Sequence, residues 1–514
     1  MKTRWKILIA AGIFLALAAA SAWLTAHHQP QNQVEDYKKF LRDHGEKLEI
    51  SEVLPPKISS ASNSVNAVQD AFRLLGSGSE KIPNAMKMVA PGKALIGWSQ
   101  PDARNSDFTN SWDELAAEIE VSRPVIELLH QILERPKLDF ELDYTKGFAL
   151  VMSHLAPMKR VTQKLNTAAI CDLHNGDTGA ATTNILTMLA LVQRNEGEGF
   201  VISHLVRIAI SAIAVVPTWE LLQATNVTDA QLAAVQNGWE QMDFLSDAKA
   251  VFLMERAWML QTIQKSRASH EEFVKTLGAA ASGSRTGGSA SAGTWPPDWK
   301  ELTEKPRLAV AEVMWRSSWS YADELRTLQG QQIILETLRT MQTNQSQFYK
   351  MDYDAMETRF ASLGITNVGE AFFRALQIPD FREEFGAQSL NVIVLRTMRI
   401  EAARRVIISA IALKRFQLKH GQWPATLDEL APEFLSSIPI DPYDGKPLRY
   451  HPNADGTYLL YGVGEDGVDD GGDPTNTASG SSSLYWQGNK VRDWVWPQPA
   501  TEAEIKYFYE HPPK

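Results

Sequence analysis

Leu395–Leu430 reads LRTMRIEAARRVIISAIALKRFQLKHGQWPATLDEL, Pro432–Tyr450 reads PEFLSSIPIDPYDGKPLRY, and Tyr458–Asp473 reads YLLYGVGEDGVDDGGD. Ile400, Ala403, Ile407, Ala410, Leu413 and Phe416 recur near the helical period, so residues from about Leu390 to Lys419 are expected to form one long helix with a buried stripe. Glu401, Arg404, Arg405, Arg415 and Lys419 take its more polar directions, and Gly421 is a natural stop. Thr426 can cap a short helix over the TLDEL segment. Asp444-Gly445 can make a tight reversal. Leu448-Arg449-Tyr450 and Thr457–Val463 carry the aromatic and β-branched residues of strands, joined as a hairpin at Asn453–Gly456.

The hairpin feeds the loop GEDGVDDGGD. Five acids fall within Glu465–Asp473, and three glycines in the same stretch let the backbone fold tightly. Carboxylates so concentrated repel one another unless a cation neutralises them. Hard calcium takes several oxygen ligands, and the loop offers neither the imidazole nor the thiolate that zinc prefers. Asp466, Asp469, Asp470 and Asp473 are the candidate side-chain ligands for calcium. Their spacing is not that of an EF-hand, and a solvated acidic turn is the competing reading.

Residues 399–473 resemble the periplasmic part of the type II secretion major pseudopilin. The matching features are the long helix through Ala412–Phe416, the LKHGQWPATLDEL segment, the Asp441–Gly445 turn with the strand after it, and the acidic loop. The resemblance implies a long helix, a small antiparallel sheet and a calcium loop around Gly464–Asp473. It also implies a link to secretion or pilus-like machinery. In that family the apolar segment is continuous with the long helix at the mature N-terminus. Here the helix is internal, so the resemblance extends to a module and not to an ordinary filament subunit. The chain as a whole resembles large envelope proteins of Planctomycetes and Verrucomicrobia that end in such a module.

Lys2, Arg4 and Lys6 precede an uncharged run from Ile7 to Ala26. Twenty such residues are enough to cross a bilayer as a helix, and the flanking positive charge favours sending the remainder outward. Ala20-Ser21-Ala22 also resembles a signal-peptidase site. The two readings are an inner-membrane anchor with a periplasmic body, and a cleaved signal giving a periplasmic or secreted one.

Between these ends the spacing is helical. Val65, Val68, Phe72 and Leu75 share a face; Trp112–Leu133 has apolar residues at spacings of three and four, with Pro124 beginning a second helix or bending the first. Met158–Leu173, a helix opening at Asp177-Thr178-Gly179, and Thr228–Gln264 continue the pattern. FVISHLVRIAISAIAVV, Phe200–Val216, is expected as a helix buried in a bundle, with His204 at a core edge or cap. Cys171, the single cysteine, excludes an intramolecular disulfide and is expected on a buried helix face. Glu255-Arg256 is read as an ordinary surface pair, with a buried ion-pair node as the alternative. Residues 278–294 are rich in Gly, Ser and Ala and are expected to be a flexible segment.

The expected fold is mainly α. The divisions are a membrane segment or signal at 1–26, a polar linker at 27–60, a multi-helix body at 61–389 and a small α+β pseudopilin-like module at 390–514. A net charge of -10 argues against a general nucleic-acid binder. The sequence contains no nucleophile–base pattern and no His/Cys metal cluster. The leading reading is a non-enzymatic envelope scaffold or assembly protein with a calcium-stabilised module. One alternative is a hydrolase of an envelope polymer, for which Glu255, Asp243 and His204 are the first residues to inspect. Another is a ligand-binding module using Trp295, Trp299, Trp315 and Trp319 as stacking platforms.

Overall fold

The computed structural model describes residues 29–76, 86–104, 109–274, 312–364, 391–475 and 491–511. The apolar run at 7–26, the Gly/Ser/Ala segment at 278–294, Trp295 and Trp299 lie outside them. The described chain is mainly helical.

The first helix, α1, covers 29–43. Val34 and Leu41 on it are fully buried, and Lys38 pairs with Glu324 at 2.5 Å. A short α2, Ile50–Val53, ends where Pro55 and Pro56 forbid further helix. Next come α3 (Val65–Leu75), α4 (Trp112–Val121) and α5 (Arg123–His130). Pro124 sits in the first turn of α5, where a missing amide costs nothing, so of the two expectations it begins a new helix.

The central layer contains α6 (Leu155–His174), α7 (Thr178–Arg194), α8 (Val201–Leu222), α9 (Asp229–Glu240) and α10 (Phe244–Ala268). Local signals set several boundaries. Asp177 caps α7 by accepting from the Ala180 amide at 2.9 Å, and Thr228 caps α9 through a capping box with Gln231. The expected run over 228–264 is two helices, because Asp243 turns to accept from the Ser246 amide at 2.8 Å and caps α10. α11 (Ser320–Thr343) packs along α10, and α12 (Tyr349–Ser362) packs on α11.

α8 is long and apolar enough to cross a membrane by length and composition, yet it packs against α6, α7, α10 and the long helix α13 (Asn391–His420). It runs through Pro217 to Leu222, whereas the sequence signal ended at the proline. A proline removes one amide donor, and tertiary packing on both sides of it holds the helix together here.

α13 matches the expected helix and is a central strut, lying against α8, α9 and α10. Val394, Met398, Ile407, Ala410, Ile411, Ala412 and Leu413 on it are buried. One hydrophobic cluster runs without a break from Val65 through the central helices and α13 to Trp496.

The strands are short. β1 (Met88–Ala90) and β2 (Lys93–Ala94) form a hairpin, and β3 (Ala103–Arg104) pairs with β4 (Thr109–Asn110). None of the four was expected, because pairs of two or three residues carry no readable alternation. β5 (Arg449–Pro452) and β6 (Tyr458–Val463) form the expected antiparallel hairpin, with Arg449 opposite Tyr461 and Pro452 opposite Tyr458. β7 (Asp493–Val495) joins β6 antiparallel, placing Asp493 opposite Val463. β8 (Gln498–Pro499) then pairs parallel with β2. The segment 491–499 thus stitches the C-terminal sheet to the first hairpin, and the Trp219 indole of α8 donates to the Pro497 carbonyl at 2.9 Å. A last helix, α14 (Glu502–Glu510), lies beside β1.

Candidate functional site: the acidic loop and the buried charge nodes

Residues 464–475 leave the end of β6 and wrap round a single carboxylate. Gly464 begins the turn, and a Cβ there would stand 2.0 Å from the Arg492 carbonyl oxygen, so only glycine fits. Gly467, Gly471 and Gly472 have φ of +75°, +75° and +82°, which glycine adopts without strain. The reversal aims amides inward: Gly472 and Asp473 donate to Asp493 Oδ2 at 2.8 and 3.0 Å, and Asp470 donates to Oδ1 at 3.4 Å. Asp493 is fully buried; burial raises its pKa, and these amides oppose the rise.

The four expected ligands lie on the outer side of this wrap, exposed or half-buried. Asp466 accepts from the Val468 amide at 3.0 Å. Asp469 accepts from the Gly471 amide and the Tyr461 hydroxyl, each at 3.0 Å, and from Arg449 Nε at 3.1 Å. Burial works against its charge, but these three donors outweigh it and hold the carboxyl below its ordinary range. Asp470 faces Arg492 Nη1 at 3.4 Å. Asp473 accepts from the Thr475 hydroxyl and amide, which lower its pKa, and stands 3.6 Å from Arg492 Nε. Among the described residues no three His, Cys, Asp or Glu side chains are gathered as a metal-holding group.

Sequence reasoning missed the rest of this assembly. Arg449 donates through Nη1 to Asp441 and Asp444, both at 3.2 Å, so one guanidinium ties the 441–445 turn to the loop. Asp441 is buried and accepts from the Tyr443 and Val463 amides at 2.9 and 2.6 Å. Burial pushes it up to about 6, with those amides opposing. Arg399 of α13 pairs with Glu465, tying the loop to the long helix. The signal for Arg449 was its place opposite Tyr461 in the hairpin. Asp493 had no local signal, because the pairing of β7 with β6, Asp493 opposite Val463, is what carries it to the Gly472 and Asp473 amides.

Elsewhere the buried ionisable groups act as ties. His204 bonds through Nδ1 to Asp247 at 2.5 Å and through Nε2 to Thr397 Oγ1 at 2.9 Å, with all three buried. Arg207 pairs with the same Asp247, which also accepts from the Gly197 amide at 3.1 Å. Burial disfavours the Asp247 charge, but Arg207 and His204 outweigh it and hold the carboxyl well below its usual range. The Thr397 hydroxyl donates to the Ile393 carbonyl, so it is no free nucleophile. His204 therefore belongs to the core of α8, α10 and α13, deeper than the edge or cap position expected.

The surface reading of Glu255-Arg256 is corrected. Arg256 is fully buried and donates to Glu46, Gln332 and the Lys47 carbonyl at 2.7–2.8 Å. Adjacent helix positions point apart, so Glu255 goes elsewhere. Burial pushes it up to about 7, and the Val201 amide opposes this. Glu220 on α8 accepts from the Gly97 amide at 2.9 Å, and burial pushes it up to about 8. Glu255, Asp243 and His204 serve separate structural partners, the Val201 amide, the Ser246 amide and Asp247 respectively. Trp315 is buried and donates to Asp323 at 2.8 Å, a packing role; Trp319 is exposed. Cys171 is buried on α6 as expected, and burial raises its thiol to about 11.

A surface cleft of about 530 Å³ lies between α1 and α10, lined by Glu35, Lys38, Arg42 and Gln261 among others. A smaller one of about 180 Å³ lies beside the C-terminal sheet. Neither is lined by His204, Asp247, Glu220 or Glu255.

No protein-family model, curated protein or solved structure matches this chain.

Proposed function

We propose that this protein is a non-enzymatic envelope scaffold, held at the inner membrane through residues 7–26, whose helical body carries a calcium-stabilised C-terminal sheet of the pseudopilin kind. The observation that carries the scaffold reading is the use made of buried charge. Asp247, Glu46, Glu220 and Asp441 each tie two or more segments together, and neither cleft is lined by them. Catalytic carboxylates must reach a substrate, and the burial of these four supports a structural use. Incubating the purified chain with envelope polysaccharide is the direct test. Release of soluble fragments, lost on replacing one carboxylate, would sink the scaffold reading in favour of the hydrolase.

The acidic loop suits calcium in its donor chemistry. Its side chains offer oxygen alone, and Asp466 and Asp493 have no cationic side chain paired to them among the described residues. Asp466, Asp469, Asp470 and Asp473 would hold the ion. It would neutralise the loop and stabilise the native state by binding it in preference to the unfolded chain. A second reading is favoured by the ion pairs to Arg449 and Arg492, in which guanidinium groups alone neutralise the loop. Thermal unfolding of the whole chain with calcium and with chelator separates the two. Calcium at a hundred times its dissociation constant should add about 2.7 kcal/mol to the stability. An unmoved transition, with no heat on titration, leaves the arginine reading.

A further inference from the structure

We propose that the small cleft beside the C-terminal sheet is a binding site for a sugar acid, with the sugar ring against Trp423 and its carboxylate on the Lys414 ammonium. The cleft of about 180 Å³ opens where α13, the β5–β6 turn and the 496–499 segment meet. Trp496 and Tyr458 are almost wholly buried and form its apolar base. Trp423 is half-buried and crosses Tyr458 edge to face, centroids 4.7 Å apart. The Trp423 indole N–H donates to the Gly456 carbonyl at 2.7 Å, which holds the ring in place.

Lys414 supplies the charge. It lies on α13, is half-buried, and makes no hydrogen bond or ion pair with the described residues. Other cations on the same helix are paired: Arg399 with Glu465, Arg404 with Glu401, Arg415 with Asp229 and Lys419 with Glu433. Burial lowers the Lys414 pKa, and no acid restores it. An unpaired ammonium beside an apolar floor gains from an anionic partner delivered from outside.

Size and lining narrow the ligand. Pockets for drug-sized molecules begin near about 300 Å³, so this one takes a single ring-sized unit. Gln223 donates its amide N–H to the Trp219 carbonyl at 3.1 Å, leaving its carbonyl oxygen to accept from a ligand hydroxyl. The Thr457 hydroxyl on the rim is already engaged, donating to Asp455 at 2.6 Å and accepting from Asn453 at 2.9 Å, so Gln223 supplies the open acceptor. A fatty acid would leave the Gln223 carbonyl oxygen unmatched, while a carboxylated pyranose has an apolar face for the indole and a hydroxyl for that oxygen.

The test is titration of the full detergent-solubilised chain with D-glucuronate, D-glucose and acetate, followed by ligand-observed NMR. Saturable binding of glucuronate, about tenfold or more tighter than glucose and than acetate, is expected for a charge-assisted contact. Lys414→Met should bring glucuronate down to the level of glucose and leave glucose unchanged. Trp423→Ala should weaken both sugars about tenfold, with Trp423→Phe recovering part of the loss. Thermal unfolding of each variant checks that the fold persists. Absence of glucuronate binding, equal binding of glucose or acetate, or a Lys414→Met variant that binds glucuronate as well as the parent would each overturn the site.

Discussion

Arg256 and Glu46 show how much one residue's position decides. Glu46 accepts from Arg256, Gln332 and Arg339, so the segment after α1 is clamped to α10 and α11 by one carboxylate. Replacing Arg256 by Met removes a buried partner and leaves Glu46 partly unanswered. The expected loss is about 3–5 kcal/mol, read by urea unfolding. The pH dependence has a defined sign. Burial works against the Glu46 charge, but the hydrogen bonds from Arg339, Arg256 and Gln332 take its pKa from 4.5 down to about 2. A depressed carboxylate contributes stability that is fully present above 4.5 and lost as pH falls toward 2. The melting temperature of Glu46→Gln should therefore fall less steeply than the parent's across that window. Parallel curves would show that Glu46 carries no such linkage.

At the scale of elements, the acidic loop is organised from inside by Asp493 and from outside by arginines. Asp493→Asn removes the charge that three backbone amides face and turns one donor toward donors. A cost of about 1–3 kcal/mol is expected, with faster hydrogen exchange at the Gly472 and Asp473 amides. Unchanged exchange there would mean that the loop holds its shape without the buried carboxylate. The turn at 441–445 is constrained in another way. Gly445 has φ of +69°, and a Cβ there would meet Phe348 Cβ at 2.9 Å, so the turn sits directly on the residue before α12. The loop and the turn were read as separate features; Arg449 makes them one assembly.

At the scale of the whole molecule, the long helix and the C-terminal sheet share their core with the body. α13 lies against three helices of the central layer, and Trp494 and Trp496 are almost fully buried. Ending the chain at residue 475 deletes β7, β8 and both tryptophans. It also removes the acceptor of the Trp219 indole and one of the two strands paired with β2. The truncated chain should unfold at a clearly lower temperature by circular dichroism at helical wavelengths. If its helices melt where the parent's do, the sheet is an appendage with its own stability.

Local physics was enough to read much of this protein. Caps at Asp177 and Thr228, the stripe on the long helix, the hairpin at 449–463 and the concentration of acids after it are all set within a few residues of chain. What only the tertiary structure decided depends on partners distant in sequence. Arg256 looked like a surface residue because its acid, Glu46, lies on the far side of the molecule's helical body in sequence. α8 is expected from sequence as a buried bundle helix, but only the tertiary structure names what its polar groups meet: Thr397 for His204, the Val192 carbonyl for Arg207 and the Gly97 amide for Glu220. The acidic loop was legible as a charge cluster, but its buried centre, Asp493, and its arginine counter-charges were not. Hydrogen bonds and ion pairs are short-ranged in space and indifferent to separation along the chain, so local periodicity can place a side chain on a face without naming what it meets.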